Sequence, residues 1–161
     1  METITTTLFQ NWQQDVIDLC WIAGAMLLAA ILGYERETQH KPAGIRTHII
    51  VAASAALFVS FGDPLMEQFS REGNSEALQS DPLRIIEAVI TGVSFLGAGT
   101  IFRRGSEDVI EGLTTAASLL LSAGIGICMA INRPVLAVGV AALGWVALKP
   151  LQKVNEQQAK G

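Results

Sequence analysis

The stretch ITGVSFLGAGTIFRRGSEDVIEGLTTAASLLLSAGIGI, residues 90–127, is apolar, then abruptly charged, then apolar again. Glycine, alanine, serine and threonine recur through both apolar halves. Two membrane-crossing helices joined by a charged hairpin read this way, because an apolar run can occupy a hydrocarbon core about 30 Å thick while charges are driven to its faces. The rest of the chain agrees. Of 161 residues, 50% are hydrophobic and only 16% charged, where a soluble domain carries about 25% charged residues. Mean hydropathy is +0.41. The net charge of −4, with no basic patch interleaved with aromatics, argues against a nucleic-acid partner.

Outward from that stretch, five apolar segments are expected as membrane helices, at about 16–34, 45–61, 83–102, 113–131 and 134–151. They make residues 1–151 a single all-α, polytopic membrane bundle, followed by a polar cytoplasmic tail at 152–161. The fourth segment is the cleanest, with no charge. The second reaches full length only if Arg46 and His48 snorkel to the headgroups. A short amphipathic helix is expected at about 64–72, capped by Asp63 and opened by Pro64. The first fifteen residues hold no Lys or Arg, so no secretory signal is expected. Lys and Arg set the orientation. With the N-terminus outside, eight of the 11 basic residues fall on inside pieces. The N-terminus is therefore expected outside the cytoplasm and the C-terminus inside it.

Lipid tails are as apolar as leucine, so helices in a membrane associate through close backbone approach, which small side chains at every fourth position permit. Such rows occur in every segment: Ala25, Ala29 and Gly33; Ala52, Ala56 and Ser60; Ala88 with Gly92, and Ser94 with Ala98; Ser118, Ser122, Gly126 and Ala130; Ala137 with Ala141. Gly97, Gly99 and Gly112 add to the small set around the hairpin. The rows predict a tight bundle, with a homodimer or higher homo-oligomer as one use for a spare row. AGIRTHIIVAASAALF and EGLTTAASLLLSAGIG also echo each other, each opening Gly, branched aliphatic, any residue, Thr.

Ionisable residues at membrane depth are functional candidates. One group gathers at inside helix ends: Glu35, Arg36, Glu37, Lys41, Arg46, Thr47, Arg103, Glu111, Thr114 and Thr115. Arg46 is expected to pair with Glu35 or Glu111 in a clasp, and the alternative is a polar pocket for an ion or a partner. Hard cations such as magnesium take carboxylates, carbonyls and water, so magnesium is possible here, although no other cofactor is expected. A second group, Asp81, Arg84 and Glu87, marks the outer end of the third segment, where Arg84 and Glu87 are spaced to pair. Cys20 and Cys128 lie in apolar runs as inert thiols. His40 and His48 lack a third ligand at metal spacing. No nucleophile elbow or phosphate loop is visible, and an enzyme is not expected.

GYERE…KPAGIRTHIIVAASAALF, DPLRIIEAVITGVSFLGAGTI and EGLTTAASLLLSAGIGI, in that order, resemble the MgtC/SapB family of bacterial inner-membrane proteins over about residues 24–131. The resemblance implies a membrane domain of about five helices and a role in magnesium homeostasis, growth at low magnesium, or virulence. It implies action on other membrane proteins, cation pumps or ATP synthase among them, rather than carriage of magnesium. By motif, Glu35, Arg36 and Glu37 match the ERE turn, and Lys41, Gly44, Arg46 and Thr47 match the entry to the second helix. Asp81, Arg84, Gly92, Gly97 and Gly99 match the third-helix signature, and Gly112, Leu113, Thr114 and Thr115 the entry to the fourth. Glu87 and Ser94 depart from the family pattern, which has small or amide residues and glycine there. Only the membrane domain is expected, without the soluble C-terminal domain of longer relatives.

Three functions compete on this reading: a modulator working by contact, a divalent-cation transporter or channel, and a dimeric scaffold. The orientation gives a direct prediction. A tag at residue 161 should survive protease added to intact cells, and its cleavage would reverse the topology.

Overall fold

A computed structural model describes residues 12–62, 64, 82–103 and 110–149. The expected helix at 64–72, Asp81 and the tail at 152–161 lie outside those residues or almost entirely so. Among the described residues the architecture is an all-α bundle of five helices: α1 (Trp12–Thr38), α2 (Ile45–Ser60), α3 (Pro82–Ala98), α4 (Leu113–Ala130) and α5 (Pro134–Leu148). A two-residue antiparallel ladder, β1 (Phe102–Arg103) with β2 (Ile110–Glu111), ties the two sides of the α3–α4 connection together. α1 and α4 are long and apolar enough to cross a membrane. Leu27, Phe95, Val135 and Leu143 are each more than two-thirds exposed, an outward apolar surface that suits lipid rather than water.

Local chemistry sets the helix ends. α1 extends beyond its apolar run and carries Glu35 and Arg36 in helical conformation. It stops because His40 turns left-handed, at φ 53°, while the His40 and Lys41 N–H groups bond back to the Glu37 and Arg36 carbonyls at 3.0 and 3.1 Å. α4 stops the same way at Asn132, φ 59°, where Asn132 and Arg133 N–H groups reach the Met129 and Cys128 carbonyls at 3.2 and 2.8 Å. Both are Schellman terminations, and each is followed at once by a proline, Pro42 or Pro134, that cannot continue the helix. Gly112, φ +97°, opens α4 in the left-handed region, and a Cβ there would strike the Thr100 carbonyl. Glycine is the residue that both conditions admit.

α4 is the hub, packing on α1, α2, α3 and α5. Its small row faces α2. Ser118, Ser122 and Gly126 are buried, and a Cβ on Gly126 would run into the backbone carbonyl of Ala52. His48 meets Ser118 near the start of both helices and Gly126 meets Ala52 further along, so α2 and α4 run parallel. α1 runs against both: Gly33 leaves no room for a Cβ beside Ile45 Cα, 2.6 Å away. Along the bundle axis Ala25, Ala29, Ala52, Ala56, Ile125, Ala137 and Ala141 are fully or almost fully buried.

α3 departs from the expected rows. Ala88, Gly92, Ser94 and Ala98 are exposed, and a Cβ on Gly92 would meet nothing within 4 Å. Val89, Val93 and Gly97 face inward instead, Gly97 lying against Ala116. The physical reason is that α3 packs chiefly on α4 and only lightly on α2. A single contact face suffices, and it is the valine face, four residues apart and in phase with Gly97.

The α2–α4 approach predicts a contrast within one helix. Gly126→Ala should destabilise the protein in detergent by about 1–3 kcal/mol, the usual cost of overpacking. Gly124→Ala, where a Cβ meets nothing within 4 Å, should be neutral or slightly stabilising. Equal denaturation midpoints for the two variants would remove the close contact.

Candidate functional site

The C-terminal end of α1 and the N-terminal ends of α2 and α4 converge at one end of the bundle. Arg36, on the inner face of α1 in phase with Ala25, Ala29 and Leu32, is 4% exposed. Its Nη2 donates to Thr115 Oγ1 on α4 at 3.0 Å, and its Nη1 to Gln39 Oε1 at 3.3 Å. Gln39 Nε2 donates in turn to Glu35 Oε1 at 2.8 Å. Glu35 is 7% exposed, so a carboxylate and a guanidinium are withdrawn from water together, bridged by a neutral amide. Arg36 Nε is buried without a partner among the described residues.

Glu37 does a different job. Its Oε2 accepts the Ile45 backbone N–H at 2.9 Å, capping the start of α2 from the preceding helix. Gly44, the N-cap residue, has no side chain to do so, and a Cβ on it would lie 2.7 Å from that same oxygen. The glycine makes room for the carboxylate, which also sits favourably at the positive end of the α2 dipole.

His48 completes the site and is fully buried. Its Nδ1 faces the Gly44 carbonyl at 2.8 Å and therefore carries a proton. Its Nε2 faces Ser118 Oγ at 3.0 Å. Ser118 has one hydroxyl proton and two acceptors in reach, His48 Nε2 and the Thr115 carbonyl at 2.8 Å. A hydroxyl rotates to suit its partners. With the proton on Nε2's side, imidazole is neutral. Ser122 extends the line by donating to the Ser118 carbonyl at 3.1 Å.

The structure thus brings together Glu35, Arg36, Glu37 and Thr115, and adds His48, Gln39 and Ser118. Arg46, expected as the clasp, is exposed, as are Lys41, Thr47 and Thr114. The cation that reaches α4 is Arg36, because it continues the inner face of α1, whereas Arg46 is out of phase with His48, Ala52 and Ala55. Glu111 and Gly112 are half-buried, Glu111 in the ladder opposite Phe102, near where Arg103 pairs with Ile110. At the other end Arg84 and Glu87 are exposed and, among the described residues, not joined to each other. Gly99 lies exposed in the turn after α3. Among the described residues no three His, Cys, Asp or Glu side chains cluster as a metal site. His48 carried a signal that sequence reading passed over: it stands four residues before Ala52, at the head of the small row.

Thr115→Val removes the acceptor of a buried charged donor and should cost about 1–3 kcal/mol. Thr115→Ser keeps the hydroxyl and should cost much less. Detergent-to-SDS unfolding titrations compare them, and indistinguishable midpoints would show that the Arg36–Thr115 bond contributes nothing.

Residues 22–157 match the MgtC family. An uncharacterized protein of Haemophilus influenzae is 41% identical over 103 residues, covering 64% of this chain and 42% of the relative. Protein MgtC of Brucella abortus is 36% identical over 152 residues, 92% of this chain and 58% of the relative. Protein SapB of Bacillus subtilis is 36% identical over 117 residues, 73% and 49%. The chain spans about half the length of these curated relatives. No solved structure matches it. The family match takes in most of α1, all of α2 to α5 and every residue of the buried polar end, and the chain belongs to the MgtC family.

Proposed function

We propose that the chain is a multi-pass protein of the bacterial inner membrane, with its N-terminus in the periplasm and its C-terminus in the cytoplasm. It acts without catalysis, by contact with other membrane proteins such as cation pumps or ATP synthase, in magnesium homeostasis, low-magnesium growth or virulence. The names of its relatives, MgtC and SapB, and the apolar helices support this reading. The observation that carries it is the filled axis. Ala25, Ala29, Ala52, Ala56 and Ile125 are fully buried between the two ends of the bundle, and the hydroxyl of the buried Ser122 is taken up by the Ser118 carbonyl, so the interior past the polar end is mainly packed apolar matter. A desolvated divalent ion needs oxygen ligands along its way, and this axis offers hydrocarbon.

The rival reading is a divalent-cation transporter, with Glu87 as the embedded carboxylate on its path. Glu87 is exposed on the outer face of α3, away from that axis, which favours the modulator. Magnesium uptake into proteoliposomes separates the two. Vesicles shown to hold folded protein should take up no more magnesium than empty ones. Uptake above that background, lost in Glu87→Gln, would overturn the modulator and make the chain a carrier.

A further inference from the structure

Between α2 and α3 lies a groove of about 680 Å³, within the range of about 300–1,000 Å³ that small-ligand sites occupy. It exists because α3 turns its valines to α4 and leaves α2 on its flank. Ile50, Phe58 and Phe61 form one wall and Val93 and Leu96 the other, with the open space beside Gly92 between them. Of the lining residues only Ser54 and Arg84 have polar side chains. Arg84 sits at one end, with Phe61, where Gly62 touches Ile85. It is exposed, and among the described residues no carboxylate pairs with it, Glu87 included. Its position one turn into α3 puts it beside that helix's positive N-terminal end, which adds to the attraction for an anion.

The dimensions narrow the occupant further. From Ile50 to Phe61 the groove runs about 16 Å at the helical rise. Half of a hydrocarbon core about 30 Å thick is close to that depth. The groove is therefore one leaflet deep, greasy along its length, with a single cation at the headgroup level. A partner helix would continue past the midplane and would bring no need for a charge at one end. We propose that this groove holds one acyl chain of an anionic phospholipid whose phosphate lies on Arg84, in the leaflet at the α2–α3 end of the bundle. The inference rests on the membrane reading of the chain and is independent of whether the protein moves magnesium.

The test is native mass spectrometry of the full chain, purified in mild detergent and exchanged against mixed micelles of phosphatidylglycerol and phosphatidylcholine. The expected result is one retained lipid per chain, with phosphatidylglycerol preferred. Gly92→Phe puts a ring into the groove from a position where a Cβ meets nothing within 4 Å, and should abolish retention while leaving the unfolding midpoint unchanged. Arg84→Gln should lower the preference for phosphatidylglycerol by about 5-fold, the usual effect of one basic residue on anionic lipid. Arg133→Gln removes an exposed cation at the same end of the molecule and should change nothing. Retention unaltered by Gly92→Phe, or equal retention of both lipids by the native chain, would overturn the proposal. So would a native dimer that becomes monomeric in Gly92→Phe, since a second copy would then be the occupant. A chain recovered outside the membrane fraction would fail the membrane reading instead, and that is seen before any lipid is counted.

Discussion

Two parallel helices, α2 and α4, approach until backbone meets backbone, and the rest of the bundle is arranged around that contact. In lipid there is no bulk hydrophobic gain to draw helices together, so dispersion between closely set backbones and buried hydrogen bonds must serve. Both are on the same line here: Gly126 against the Ala52 carbonyl, and His48 against Ser118 about two turns before it. α1 then lies against both through Gly33 and Arg36, and α5 closes the remaining side with Ala137, Ala141 and Gly144.

That closeness explains the chemistry of the polar end. Arg36 and Glu35 are buried side by side yet bridged by Gln39, so each charge keeps a hydrogen-bonded neighbour in a medium where a bare charge is costly. Glu37 is spent on the backbone of α2. Of the ERE carboxylates, Glu37 therefore joins two helices and Glu35 braces the end of its own. His48 joins the same work, its Nδ1–H on the Gly44 carbonyl and its Nε2 on the Ser118 hydroxyl of α4.

Much of this was readable from periodicity. The rows on α1, α2, α4 and α5 were legible because each is a run of small residues at four-residue spacing that only a close helix contact requires. The row on α3 is ambiguous because from Ile85 to Ser94 every position but Glu87 is small or β-branched, so two faces look alike until a neighbour selects one. The choice between Arg36 and Arg46 was open for a related reason. Both stand within a turn of a helix end, and only the phase relation of Arg36 to Ala29 and Leu32 marks it as the inward one. The Schellman stops stand in the sequence as HKP and NRP, but neither histidine nor asparagine there is a glycine, the residue that usually marks such a stop. The pairing of Arg36 with Thr115 spans 79 residues, beyond the reach of any local pattern.

The length of those two links bears on how the protein is made. Chains are built from the N-terminus, and segments pack as they emerge. When the α1–α2 hairpin is complete, Arg36 and His48 already face inward, but the hydroxyls that receive them, on Thr115 and Ser118, lie 79 and 70 residues further on. The early hairpin is thus an unfinished intermediate that carries its own polar debt into the bilayer. α4 arrives as the latch: until it is in place Arg36 has only Gln39 and His48 only the Gly44 carbonyl, and each gains its second partner when Thr115 and Ser118 come to rest against them.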